Sequence, residues 1–262
     1  MNNFQSALWA ETLKARRSKV PLLAGIGFTL APLVDGLFMF IMKDPERARE
    51  MGLLSVKAQM AMSTAEWGTF FGVLSQAVAI GGTIVFSIVT AWIFGREFSD
   101  HTAKDLMALP TSRENIVAAK LVVISVWAFI VCIWIYLFGL VIGNLVSIPG
   151  WTTGLAWKSF LDLLAAAGMT LLLMTPVAFI ASMGRGYLPP LSWAVLTIFL
   201  AQIIAATGWG DWFPWAVPAL FSGAAGPRDQ LIGVHSYILV VAAGIVGLAA
   251  TFYWWRNADQ TR

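Results

Sequence analysis

The apolar stretch Trp67–Gly95, with the sequence WGTFFGVLSQAVAIGGTIVFSIVTAWIFG, decides the fold class. Its 29 residues include no Asp, Glu, Lys or Arg. The hydrocarbon core of a bilayer is about 30 Å thick, and about 20 helical residues cross it. Only a helix satisfies all the backbone polar groups of a single segment in hydrocarbon. The stretch therefore predicts one membrane-spanning helix.

Further apolar stretches lie on both sides of it. The first is interrupted by Asp35, and the stretch Leu121–Trp157 contains the turn signal Ser147–Gly150, so it holds one span and a loop. We predict an all-α integral membrane protein with six spans, near residues 20–42, 67–95, 117–146, 160–183, 188–207 and 232–255. Before the sixth span, Trp209, Trp212 and Trp215 predict an interfacial or re-entrant aromatic segment.

The composition excludes other protein classes. Of the 262 residues, 58% are hydrophobic and 12% are charged, whereas soluble domains carry about 25% charged residues. A soluble enzyme and a disordered chain are both excluded by these values. The single cysteine, Cys132, excludes an intramolecular disulfide, and with only two histidines no metal site is expected.

Motifs for catalysis are missing from the sequence. It contains no G-x-x-x-x-G-K-[ST] phosphate loop and no H-E-x-x-H zinc motif. Ser222-Gly223 lacks the upstream glycine of a nucleophile elbow, so we interpret it as an ordinary small-residue loop rather than a serine nucleophile served by His235. We therefore expect that the chain is not an enzyme.

The basic residues predict the orientation. With both termini inside, eleven Lys and Arg residues lie inside and six lie outside, which agrees with the excess of positive charge in cytoplasmic segments. The first nineteen residues are mixed and basic, so no cleavable signal peptide is expected. The expectation is a multi-pass protein of a bacterial plasma membrane, with loops 43–66 and 209–229 outside and the tail 256–262 inside.

Asp35 leaves two interpretations open. One is a water-accessible or hydrogen-bonded carboxylate near the outer boundary, three residues after Pro32. The other is a proton or cation relay, which normally needs polar partners on several helices. We favour the first interpretation.

A polar segment, Arg96–Asn115, separates the second and third spans. Phe98, Thr102, Leu106 and Leu109 fall on one helical face, and Pro110 must end that helix. Thr111 and Glu114 have the spacing of a capping box ahead of the third span. The pattern fits a helix lying on the membrane as well as a helix that docks on a partner.

The residues of this segment resemble those of type-2 ABC exporter permeases. The resemblance rests on Arg96-Glu97-Phe98, Thr102, Lys104, Leu109-Pro110, Ser112-Arg113 and Lys120, a lysine entering the third span. That family usually has glycine before the threonine, and this chain has His101. The six-span plan, the basic N-terminal segment and the aromatic outer segment are also similar.

The resemblance implies an architecture and partners. Residues 1–19 would form an elbow helix on the inner membrane surface, where Phe4, Ala7, Leu8 and Ala15 share a face that Glu11 interrupts. Arg96–Asn115 would be a coupling helix that meets a cytoplasmic ABC ATPase, present in two copies and binding ATP and Mg. The implied coupling residues are Glu97, Phe98, Thr102, Leu106, Leu109, Pro110 and Arg113, and a second cytoplasmic contact is Gly184, Arg185 and Gly186.

The function that follows is the permease subunit of an ATP-driven exporter. It would pair with a second permease, as a homodimer or a heterodimer, and contact membrane lipids. We expect it to bind no cofactor of its own and no nucleic acid. The resemblance points to an amphipathic or hydrophobic cargo such as a peptide antibiotic, a drug or a lipid-like molecule, and so to antibiotic resistance. The alternatives are an ion- or proton-coupled secondary transporter, and a membrane-embedded lipid-modifying enzyme. The sequence has neither the charge clusters within the spans that a secondary transporter should show nor the acidic or histidine cluster that such an enzyme should show.

Overall fold

The computed structural model describes residues 3–43, 64–100, 102, 111–224 and 232–257, and none of these residues forms a strand. An N-terminal helix, Asn3–Arg17, comes first. Six helices are then long and apolar enough to cross a membrane, which confirms the predicted all-helical plan with six candidate spans. Spans 1 to 6 are Lys19–Lys43, Trp67–Ser99, Arg113–Val146, Thr153–Met183, Leu188–Ala206 and Val234–Asn257.

Two spans are broken three residues before a proline. Span 1 consists of Lys19–Phe28 and Leu30–Lys43, and span 4 consists of Thr153–Leu172 and Met174–Met183. Pro32 and Pro176 have no N–H, so each leaves the carbonyl four residues earlier without its helical donor. In span 4 the hydroxyl of Thr175 donates to the Leu172 carbonyl at 2.9 Å and satisfies it.

Span 2 is interrupted without a proline. Its α-helical parts, Trp67–Gln76 and Gly82–Ser99, are joined by the π-helical segment Ala77–Gly81. The Thr83 hydroxyl donates to the Ala79 carbonyl at 2.9 Å within this wider turn. Such π-helical turns are often found at functional sites.

Short polar side chains set the starts of spans 3 and 4. The Ser112 hydroxyl accepts the N–H of Asn115 at 3.3 Å, so span 3 starts at Arg113. The predicted capping box of Thr111 and Glu114 is therefore wrong, because the cap is Ser112 and Glu114 is only the second helical residue. The Thr152 hydroxyl likewise accepts the N–H of Leu155 at 3.2 Å and starts span 4 at Thr153.

The turn between spans 3 and 4 uses left-handed backbone. Ser147 has φ 56°, and Gly150 has φ 84°, a conformation that glycine adopts without steric cost. The N–H of Ile148 donates to the Gly143 carbonyl at 3.1 Å and closes the end of span 3. The turn therefore lies where the SIPG sequence predicts it.

Small residues bring span 6 close to the second half of span 4. A Cβ atom at Gly247 would overlap Pro176, and the Thr175 hydroxyl of span 4 lies 2.7 Å from the Gly244 carbonyl oxygen of span 6. At the end of the contact, the indole N–H of Trp255 donates to the Ser182 hydroxyl at 2.9 Å. Close backbone approach and hydrogen bonds of this kind hold helices together in lipid, where no hydrophobic drive acts between them.

The segment before span 6 folds back onto spans 5 and 6. It forms two short 3₁₀ turns, Gly210–Trp212 and Pro214–Ala216, and one helical turn, Val217–Phe221. An imidazole nitrogen of His235 lies 3.0 Å from the Asp211 carboxylate, and the Trp212 ring stacks on His235 at 4.5 Å. These contacts attach the segment to the start of span 6.

Asp35 lies inside the helix packing. Span 1 packs closely on span 3 at Gly36, where a Cβ atom would overlap Ile142, and the neighbouring Asp35 side chain is buried. Neither of its carboxylate oxygens has a hydrogen-bond partner in the part of the chain that the structure describes. The described residues therefore provide neither the water access nor the hydrogen bond that the favoured interpretation expects.

Candidate coupling site

Four charged side chains form a closed ring at the end of the molecule where the second span meets the third. Lys120 of span 3 lies 2.8 Å from both carboxylate oxygens of Glu97, at the end of span 2. Its ammonium also lies 3.1 Å from Oε2 of Glu11 and 2.9 Å from the Ile93 carbonyl. Lys14 completes the ring, with its ammonium 2.7 Å from Glu11 and 3.0 Å from Glu97.

The ring joins three helices with balanced charge. It contains two cations and two carboxylates, contributed by the N-terminal helix, span 2 and span 3. Lys120 is fully buried, Glu97 is 3% exposed and Glu11 is 5% exposed. A buried ion group is tolerated only when its partners and hydrogen bonds replace water, and here each buried member has them. We interpret the ring as a fixed junction between these helices.

Lys14 is the most accessible member of the ring. Burial lowers the pKa of its ammonium, but the carboxylates of Glu97 and Glu11 raise it, and the net pKa lies above its ordinary value of 10.5. Stabilisation from this shift is therefore fully present below pH 10.5 and is lost only as the pH rises through the higher folded-state pKa. Lys14 is therefore charged at any physiological pH.

Phe98 and Arg113 both contact the end of span 6. The Phe98 ring packs edge-on against Trp254 and Trp255, with centroids 5.7 and 6.1 Å apart. Arg113 donates from Nη1 to the backbone carbonyl of Trp255 at 3.3 Å. Both candidate coupling residues thus link the inter-span segment to span 6 within this chain.

The second candidate contact lies next to the same junction. Gly184, Arg185 and Gly186 form the tight turn between spans 4 and 5, and Arg185 has a left-handed φ of 50°. A Cβ atom at Gly95 of span 2 would lie 2.9 Å from the carbonyl oxygen of Gly186. Because Gly95 has no side chain, the end of span 2, where the inter-span segment begins, can approach the 184–186 turn.

The remaining predicted coupling residues divide into two groups. Thr102 is exposed, and its N–H donates to the Glu97 carbonyl at 2.9 Å. Leu106, Leu109 and Pro110 lie outside the described residues. The structure thus brings Glu97, Phe98, Arg113 and the 184–186 turn to one end of the molecule.

Sequence reasoning missed Glu11 and Lys14 as members of the site. Glu11 was visible only as a carboxylate that interrupts an apolar helix face, and Lys120 as a lysine at the start of an apolar helix. Two opposite charges on otherwise apolar faces are a signal for a buried pair, because neither charge is stable there alone. Nothing in the sequence indicated that Trp254 and Trp255, at the end of span 6, contact Phe98.

Comparison with known proteins shows which family the chain belongs to. The family described as ABC-2 family transporter protein matches residues 7–202, which include all four members of the ring and the 184–186 turn. The bacitracin transport permease protein BcrB of Bacillus licheniformis is 24% identical over 192 residues, covering 73% of this chain and 91% of the relative. No solved structure matches the chain. The chain therefore belongs to the ABC-2 transporter family, as a multi-pass membrane permease that has no ATPase activity of its own.

Proposed function

We propose that the chain forms half of the transmembrane pathway of an ATP-driven exporter in a bacterial plasma membrane. A second copy of the chain supplies the other half, with a related permease as the alternative partner. Two cytoplasmic ABC ATPase subunits bind ATP and Mg and drive the transport cycle. The observation that carries this proposal is the charged ring, which ties the start of the inter-span segment to the N-terminal helix and span 3.

The contacts around the ring suggest how movement is transmitted. In the proposal, closure of the ATPase pair pushes on Arg96–Asn115. The ring passes the movement to the N-terminal helix and span 3, and Phe98 and Arg113 pass it to span 6. The close approach of Gly95 and Gly186 adds the turn between spans 4 and 5. Small shifts at such packed contacts switch helices between two arrangements.

The proposed cargo is an amphipathic or hydrophobic molecule, with a peptide antibiotic of the bacitracin type as the first candidate. Similarity to a bacitracin transport permease supports this choice. A small cavity of about 100 Å³ between span 2, span 5 and the outer segment also supports it. Its lining is largely small and apolar, with Thr83, Gln202 and Trp215 as polar-capable groups, and so it suits an apolar group with a few hydrogen bonds.

The test is reconstitution of the complex. The chain would be purified with its ATPase, placed in liposomes, and assayed for ATP hydrolysis and bacitracin transport. We expect bacitracin to stimulate hydrolysis and to move across the bilayer only when ATP and Mg are present. A complex that hydrolyses ATP but neither responds to nor transports bacitracin contradicts this cargo, and a drug or lipid-like molecule would then replace it.

The alternative of an ion- or proton-coupled secondary transporter has one observation in its favour. Asp35 is a buried carboxylate within span 1. Proton relays, however, use chains of polar groups, and Asp35 has no partner in the described parts of the other spans. Membership of the ABC-2 family favours the ATP-driven function.

A further inference from the structure

A basic groove lies beside the charged ring. It is bounded by the last turn of the N-terminal helix, the end of span 2 and the start of span 5, and its volume is about 480 Å³. Its polar and aromatic lining is Lys14, Arg17, Ser18, Trp92, Arg96, Asp100 and Tyr187. The proposed transport cycle uses Lys14 in the ring and the segment that begins at Arg96, but it assigns no ligand to the groove between them.

The groove has positive charge that its own residues do not balance. Lys14 is balanced within the ring, but Arg17 is exposed and pairs with no acidic side chain in the described part of the chain. Arg96 lies over the Trp92 ring at 5.3 Å and meets Asp100 only through Nε, at 3.3 Å. The Asp100 side chain is about half exposed, so this pair is weak. The terminal guanidinium nitrogens of Arg96 and the whole guanidinium group of Arg17 are therefore available to bind an anion.

We propose that this groove binds the phosphate of an anionic phospholipid, with Arg17 and Arg96 as the phosphate-binding residues. Guanidinium groups match phosphate oxygens with paired hydrogen bonds. Basic pockets between helices at the ends of spans are where lipid headgroups bind, and Trp and Tyr rings favour the same interfacial depth. Trp92 and Tyr187 supply such rings next to the two arginines.

The test is lipid binding by the purified full chain. The chain would be delipidated in detergent and titrated with dioleoylphosphatidylglycerol or dioleoylphosphatidylcholine, with bound lipid counted by native mass spectrometry. We expect the wild type to prefer the anionic lipid. The double variant Arg17→Gln/Arg96→Gln should bind it about 25-fold more weakly, the change expected for two basic residues at a headgroup. The variant Arg17→Lys/Arg96→Lys keeps the charge but loses the paired hydrogen bonds, so its affinity should lie between those of the wild type and the glutamine variant.

Arg16→Gln is the matched control. Arg16 occupies the same last helical turn and is exposed, but it does not line the groove. Equal loss of phosphatidylglycerol binding in Arg16→Gln and in the double variant would overturn the proposal, because it would show general charge attraction only. Circular dichroism of each variant would verify that the helices are intact.

A second experiment distinguishes a lipid phosphate from a soluble phosphate as the ligand. Glycerol 1-phosphate, the headgroup fragment without acyl chains, would be added as a competitor. We expect it to displace the lipid poorly, because the acyl chains add apolar contacts. Displacement at concentrations similar to that of the lipid would overturn the lipid as ligand and assign the groove to a soluble phosphate. Neither outcome affects the permease assignment.

Discussion

Lys120 is the most deeply buried charged residue in the described structure. It is fully buried and its ammonium depends on Glu97, Glu11 and one carbonyl. Replacement by Met keeps much of the side-chain volume but leaves two carboxylates buried, with only Lys14 as a counter-charge. We expect Lys120→Met to lower the free energy of unfolding by about 3–5 kcal/mol, as for other broken buried pairs. Denaturant unfolding in detergent, followed by circular dichroism, measures it.

Two further variants distinguish the effect of breaking the ring from the effect of removing any positive charge. Lys19→Met removes an exposed lysine at the start of span 1 and should change stability by less than about 0.5 kcal/mol. Glu97→Gln/Lys120→Met removes one charge of each sign and should recover part of the loss, because less uncompensated charge remains buried. If Lys120→Met costs no more than Lys19→Met, the ring does not stabilise the fold.

The members of the ring differ in how far the sequence reveals them. Glu97 and Lys120 stand in the stretch that resembles a known family, so sequence reasoning singled them out. Glu11 lies 109 residues from Lys120, and which helix faces meet over that distance is set by tertiary packing rather than by local pattern. The same reason applies to Asp35, because its burial is set by the packing of span 1 on spans 2 and 3.

At the scale of helices, apolar length was the reliable signal. A bilayer forces each crossing to be a long uncharged helix, so the number of spans follows from the sequence. The prolines at 32 and 176 also mark the breaks in spans 1 and 4. The π-helical segment Ala77–Gly81 has no proline to mark it.

Gly95 tests the junction between span 2 and the 184–186 turn. In Gly95→Ala, the added methyl group would lie 2.9 Å from the Gly186 carbonyl oxygen, which is backbone and yields only if the helix or turn moves. We expect a loss of about 1–3 kcal/mol in the free energy of unfolding. In the proposed exporter, the same change should reduce ATP-driven transport. Unfolding in detergent and transport in liposomes measure the two effects.

Gly72→Ala is the matched control for Gly95→Ala. Gly72 lies in the same span, and a Cβ atom there would meet nothing within 4 Å. Since alanine favours helix over glycine, this variant should be neutral or more stable by up to about 1 kcal/mol. Equal behaviour of the two variants would contradict a close junction at Gly95.

The inter-span segment needs a test that avoids its internal contacts. Phe98 packs on Trp254 and Trp255, so Phe98→Ala disturbs this chain as well as any partner. In the proposal Leu106 and Leu109 are anchors on the ATPase, and Leu106→Ala/Leu109→Ala should weaken co-purification of the ATPase by about tenfold or more, as loss of central apolar anchors does. The stability of the isolated chain should stay unchanged. Wild-type co-purification together with wild-type transport would reject the docking role.

For the whole molecule, six spans place both termini on one side of the membrane. The N-terminal helix, the ring and the exposed end of span 2 at Ser99 then lie on the side of the termini, and Trp209 lies on the opposite side. The excess of Lys and Arg on the first side predicts that it is cytoplasmic. An ATPase in the cytoplasm could reach the inter-span segment only in this orientation.

Single-cysteine labelling decides the orientation. Cys132 is fully buried, and Cys132→Ala supplies a background without a reactive thiol. On that background we expect Trp209→Cys to react with a membrane-impermeant maleimide in intact cells. Ser99→Cys and Asn257→Cys, both exposed at the other end, should react only after the cells are permeabilised. Labelling of Ser99→Cys in intact cells would invert the topology. The inter-span segment would then face away from any cytoplasmic ATPase, and the coupling proposal would fail while the helical fold and the family assignment would stand.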